Sequence, residues 1–81
     1  MAVNTQSPWA FPFNAVPDVE FQTEGNALES KEIFFETFDG GIYHGWYRED
    51  DTEDYPKYCI SNSYDEIIPI DEVKRWMYMP A

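Results

Sequence analysis

The sequence predicts a small, mainly β, antiparallel domain, SH3-like or a curled sheet of four to five strands, with at most one short helical turn; a β-rich α+β arrangement is the variant. Two observations carry that expectation. The apolar residues fall in short aromatic and β-branched runs, divided by six prolines and by turn pairs such as Asp39-Gly40. The stretches open to a helical reading, residues 27–30 and 71–75, are too short to stand as free helices.

At 81 residues the chain forms one domain, and its six Phe, six Tyr and three Trp supply large apolar area to a core of marginal size. A hydrophobic content of 43% separates it from disordered acidic tails. Residues 1–6 are expected to be a flexible terminus and residues 7–81 a single acidic domain.

Residues 7–17 carry three prolines and an alternating Trp9, Phe11, Phe13 set. Proline excludes a helix interior, and a period of two places these rings on one side, so the segment reads as an arm docked on a sheet or as an edge strand. Residues 19–30 are more polar, with Glu24-Gly25-Asn26 as a turn signal, and read as a connecting loop.

The strongest local signal is a β-hairpin. Ile33-Phe34-Phe35-Glu36-Thr37-Phe38 and Ile42-Tyr43-His44-Gly45-Trp46-Tyr47 flank Asp39-Gly40-Gly41, and a type I′ turn at Asp39-Gly40 pairs Thr37 with Ile42, Phe35 with His44 and Ile33 with Trp46. Ile33, Phe35, Ile42 and Trp46 then share one face. Five acidic residues in seven follow, from Arg48 to Asp54, and read as a solvated loop.

Lys57-Tyr58-Cys59-Ile60-Ser61 is the third strand, Asn62-Ser63-Tyr64-Asp65 a turn, and Glu66-Ile67-Ile68-Pro69-Ile70 a fourth strand that Pro69 places at an edge or bend. The end of the chain reads as a short turn running into a strand from about Lys74, with Trp76 and Tyr78 on one face. The expected core is Trp9, Phe11, Phe35, Ile42, Trp46, Ile60, Ile67 and Trp76.

The order of landmarks, an early Trp9 with a Pro-containing arm, the hairpin Phe38-Asp39-Gly40-Gly41-Ile42-Tyr43-His44-Gly45-Trp46-Tyr47 and the ending Arg75-Trp76-Met77-Tyr78-Met79-Pro80, resembles a small phage and prophage family of unknown function. That family ends near His-Trp-Met-Pro-Leu-Pro. Arg75 stands here in place of its His, Tyr78 in place of its Pro and Met79 in place of its Leu, so no role of that His carries over. The resemblance implies a phage or prophage accessory protein.

Charge narrows the function classes. Five cations against sixteen acids give −11, which repels nucleic-acid phosphates and anionic membranes. No apolar run approaches a membrane span and residues 1–16 lack the features of a signal peptide, so a cytoplasmic location, in the host cell if the protein is phage-encoded, is expected.

One Cys and one His fall short of a zinc ligand set, and residues 50–61 lack the sixth-position Gly and twelfth-position Glu of a calcium loop. No cofactor is expected. His44 with Glu36 or Cys59 is the one conceivable acid/base or nucleophilic set, but acidic surroundings raise a thiol pKa. Packing is the plainer reading: His44 beside Phe35, Cys59 in the core. No enzymatic activity is expected.

The remaining reading takes the charge as the function. Alternate residues of a strand are spaced at about 6.5–7 Å, similar to neighbouring phosphates of a DNA strand, so carboxylates on a rigid sheet can imitate nucleic acid. The candidates are Glu49, Asp50, Asp51, Glu53 and Asp54, with Asp65, Glu66, Asp71 and Glu72. Interleaved Tyr43, Tyr47, Tyr55, Tyr58 and Tyr64 would add contact area, with Tyr43 and Tyr47 the candidate contacts, and cross-strand packing is the competing explanation that holds for most of the tyrosines.

The expected partner is a host protein with a basic nucleic-acid-binding surface: a CRISPR complex, a defence nuclease or a transcription factor. The expected state is a monomer or weak homodimer. The alternative is a phage accessory protein that self-associates through its aromatic face. Reversal of Asp50, Asp51 and Asp54 to Lys is expected to leave the fold intact.

Overall fold

The computed structural model describes residues 8–23, 25–52 and 54–80. The expectations for residues 1–6, Glu24 and Glu53 lie outside these residues. The fold is mainly β: seven antiparallel strands form a curled half-barrel sheet. They are β1 (Val19–Gln22), β2 (Leu28–Ser30), β3 (Ile33–Thr37), β4 (Ile42–Glu49), β5 (Lys57–Ser61), β6 (Ile67–Pro69) and β7 (Val73–Tyr78). A single 3-10 turn, Ile70–Glu72, joins β6 to β7.

β4 organises the sheet. One of its edges pairs with β5, which pairs in turn with β6. Its other edge pairs with β3 near its start and with β2 near its end. The β2 register is one residue out of step with that of β3, so residues 30–32 interrupt the run. Ser30 repairs the ladder there: its buried hydroxyl accepts the Tyr47 N–H at 3.0 Å and donates to the Lys31 carbonyl at 2.7 Å. A buried amide is thereby kept from losing its partner.

β7 pairs with the free edge of β3, and the N-terminal arm covers β7. The Ala10 and Trp76 backbones exchange two hydrogen bonds of 2.7 and 2.8 Å, and Trp76 Nε1 donates to the Ala15 carbonyl at 2.8 Å. The docked-arm reading thus holds through the backbone and not through an aromatic stripe. The chain turns back at residues 11–15, leaving Phe13 83% exposed and Phe11 on the surface. Trp9 is half-buried, with the Arg75 guanidinium 4.2 Å from its ring centre.

Residues 19–30, expected as a loop, instead form the β1–β2 hairpin. Thr23 N–H donates to the Ala27 carbonyl at 2.9 Å across its turn. Val19 and Phe21 alternate with Glu20 and Gln22, but a register shift between Val19 and Phe21 blurs that period.

The core consists of Ile33, Phe35, Tyr47, Cys59, Ile68, Val73 and Trp76, with Ala10, Val16, Val19, Tyr43 and Ile70 packed against it. Phe35, Ile60 and Trp76 are buried as expected. Ile42 and Ile67 are not, being 61% and 57% exposed, and Trp46 is half-buried on the outer face.

The shape of one turn explains the reassignment on β4. The hairpin loop has three residues, Phe38-Asp39-Gly40, closed by Thr37 N–H to the Gly41 carbonyl at 2.9 Å and Gly40 N–H to the Thr37 carbonyl at 3.0 Å. Gly40 adopts φ +95°, the left-handed residue that such a loop requires. Asp39 Oδ1 accepts from the Thr37 hydroxyl and from Gly41 N–H. The resulting register pairs Phe35 with Tyr43 and Phe34 with His44. Since side chains alternate faces, this one-residue difference turns Ile42 and Trp46 outward and Tyr43 and Tyr47 inward.

Gly45 is required by close approach. A Cβ at this position would lie 1.9 Å from the Ile60 carbonyl oxygen of the neighbouring strand. β4 and β5 thus leave no room for a side chain at this position.

Candidate functional site

The candidate acidic contacts divide between the two ends of β4. Its seven residue steps separate those ends by about 23 Å. At the start of β4, the tip of the β3–β4 hairpin, the beginning of β6 and the 3-10 turn converge. Phe38 N–H donates to the Glu72 carbonyl at 3.3 Å, which ties the hairpin tip to the 3-10 turn.

Between these elements runs a groove of about 420 Å³ lined by Thr37, Phe38, Asp39, Tyr43, Glu66, Ile67, Ile68, Asp71 and Glu72. A second recess of about 300 Å³ shares Tyr43 and Glu66 with it and adds Asp65. Asp65, Glu66, Asp71, Glu72 and Tyr43, all expected contacts, are therefore brought together. Asp39 joins them although the sequence marks it only as a turn residue. Its hydrogen bond from Thr37, and then that from Gly41, hold its carboxyl below the usual value of 3.8.

None of these five carboxylates is in an ion pair among the described residues. The glutamates that are ion-paired lie elsewhere, Glu29 with Arg48 at 2.7 Å, Glu36 with Arg75 and Glu20 with Lys31 at 3.8 Å, and Glu32 lies within hydrogen-bond distance of His44 at 2.9 Å. Among the described residues no group of three or more His, Cys, Asp or Glu side chains is arranged to hold a metal ion. The carboxylates line the groove as a spread field, and Phe38 and Ile67 stand exposed among them.

The other end of β4 is built differently. Asp50, expected as a solvated contact, is only 8% exposed. Its carboxylate accepts from the Thr52 hydroxyl at 2.6 Å and the Thr52 N–H at 2.9 Å, while its own N–H donates to the Pro56 carbonyl at 2.8 Å. The Thr52 bonds lower its pKa. Asp50 therefore shapes the turn and is not the solvated side chain on which the expectation of a harmless reversal rests.

Glu49 accepts the Tyr47 hydroxyl at 2.6 Å. Tyr47 itself is fully buried, so its assignment as a contact is corrected: it is a core residue. Burial, and then the Glu49 carboxylate, raise its pKa. Asp51 and Asp54 are exposed on this loop.

The His44 and Cys59 set is separated by the sheet. Cys59 is fully buried beside Tyr47 in the core, where burial pushes its thiol up to about 12. His44 lies on the opposite face, edge-on to Phe34 with ring centres 6.3 Å apart, rather than beside Phe35. Glu36 is held by Arg75. On the same outer face Trp46 stacks on Tyr64 at 5.5 Å, and Arg48 lies 5.9 Å from the Tyr64 ring centre.

No protein-family model, curated protein or solved structure matches the chain. Among the described residues no helix is long and apolar enough to cross a membrane.

Proposed function

We propose that this chain is a phage-type inhibitor or modulator that binds a basic, nucleic-acid-binding surface of a host protein in place of its nucleic acid. The observation that carries this reading is the hairpin-tip groove, where Asp39, Glu66, Asp71 and Glu72 lie together without cationic partners among the described residues. A field of one sign attracts a basic partner from a distance and raises the association rate.

Phe38, Ile67 and Tyr43 supply apolar contact area within that field, the combination that suits a protein partner rather than a simple counter-ion. The resemblance to phage and prophage proteins supports the choice of a host target, for which a CRISPR complex, a nuclease or a transcription factor is the sharpest form. Binding requires no reaction, and none is proposed.

Affinity capture of tagged protein from bacterial lysate at about 50 mM salt, followed by a step to about 200 mM, tests this reading. The expected eluate contains a nucleic-acid-binding protein whose capture is competed by added DNA or RNA. Capture that resists both salt and nucleic acid, or recovery of the bait alone, contradicts it.

A further inference from the structure

Next to the acidic groove lies a surface of different character. A groove of about 390 Å³ runs between the arm, the 3-10 turn and the start of β7, floored by Val16, Ile70 and Val73 and rimmed by Phe13, Lys57 and Lys74. Phe13 is 83% and Phe38 69% exposed, so two aromatic rings stand in water at its edges.

The charges here are unusual for this chain. Among the described residues Lys31, Arg48 and Arg75 each hold a glutamate, whereas Lys57 and Lys74 hold no carboxylate. The two lysines without a carboxylate among the described residues thus flank one apolar groove in a chain of net charge −11.

Phe38 and Asp71 line both this groove and the acidic one and form the ridge between them. The combined patch has cations on one side of the ridge, carboxylates on the other and an exposed aromatic ring on the crest. We propose that this patch is an isologous dimer interface whose occupant is a second copy of the chain.

A two-fold axis lying in the interface along the ridge brings Lys57 and Lys74 of one protomer over Glu66 and Glu72 of its partner, and the reverse. It also brings the two Phe38 rings together. The other in-plane axis, across the ridge, sets like charge on like charge and is disfavoured. The inference does not rest on the proposed function, but the two surfaces share Phe38, Glu66, Asp71 and Glu72, so a dimer covers the acidic groove and competes with a basic partner for it.

Sedimentation equilibrium of the full chain tests the interface by charge exchange. The wild type is expected to dimerise as concentration rises toward about 1 mM. Lys57→Glu/Lys74→Glu weakens association at least about tenfold, and so does Glu66→Lys/Glu72→Lys. The second change reduces the net negative charge, so bulk repulsion alone predicts stronger association for it, opposite to the interface.

An equimolar mixture of the two double variants restores dimer formation, since each supplies the charges that the other has lost. The four substituted side chains are exposed, and circular dichroism checks the fold of each variant. Phe38→Ser, which keeps every charge, provides an independent loss of association. A wild type that stays monomeric across the range, double variants that associate like the wild type, a mixture that fails to dimerise, or an unaffected Phe38→Ser variant each overturns the proposal.

Discussion

The two ends of β4 are both acidic, yet they differ in how many of their acids the fold engages. At the far end Asp50 is engaged by Thr52 and Glu49 by Tyr47, so those carboxylates are part of the architecture. At the hairpin tip Glu66, Asp71 and Glu72 are exposed and, among the described residues, unpaired, with apolar side chains between them. The densest acidic run in the sequence is therefore not the best-assembled acidic surface. Carboxylates scattered along the chain form the more coherent site because β6 and the 3-10 turn bring them to one place.

That contrast can be broken most completely at the scaffold. Gly45→Ala forces a methyl group against the Ile60 carbonyl and is expected to cost more than about 3 kcal/mol or to prevent folding, as measured by urea denaturation. Both ends of β4 then lose their relation to each other.

A smaller effect separates structural from free acids within the loop. Asp50→Ala removes the acceptor for Thr52 and lowers Tm, whereas Asp54→Ala leaves Tm unchanged; equal Tm values for the two variants would contradict the structural role of Asp50.

Acidity sharpens the same distinction. The carboxyls of Asp39 and Asp50 lie below the ordinary value of 3.8 because Thr37 and Thr52, respectively, donate to them. Each group thus contributes stability above the unfolded-state value, and that contribution is lost as pH falls through the lower folded value. Thermal melts are expected to give a Tm that is flat from pH 7 to about 5 and falls below about 4, with a shallower fall in Asp50→Ala. The smallest effect belongs to Asp51→Lys/Asp54→Lys, which should change unfolding free energy by no more than about 0.5 kcal/mol because both side chains are exposed.

Much of this architecture was legible in the residues themselves. β5 falls where its β-branched and aromatic run places it, and the terminal segment is a short turn followed by a strand. The hairpin was equally visible, but its register was not. Asp39-Gly40 fits a two-residue type I′ turn, and the observed three-residue loop depends on contacts among Thr37, Asp39 and Gly41 that no propensity encodes. That one residue decides whether Tyr47 or Trp46 enters the core.

The β1–β2 hairpin was hidden because each strand is short and β1 carries a register shift. Within the candidate site, Asp65, Glu66, Asp71 and Glu72 were read from charge alone. Asp39 carries no such signal, because a turn residue next to glycine already has a sufficient local explanation, and its place in one groove with Glu66 arises only from long-range pairing.

The most direct test of the account compares charge reversal at the two ends in one capture assay from bacterial lysate. Glu66→Lys/Glu72→Lys is expected to reduce recovery of the salt-released, nucleic-acid-competed partner at least about tenfold, while Asp51→Lys/Asp54→Lys keeps it within about twofold of wild type. Loss of the partner on reversing Asp51 and Asp54, with full retention on reversing Glu66 and Glu72, would place the contact at the other end of β4 and contradict the account.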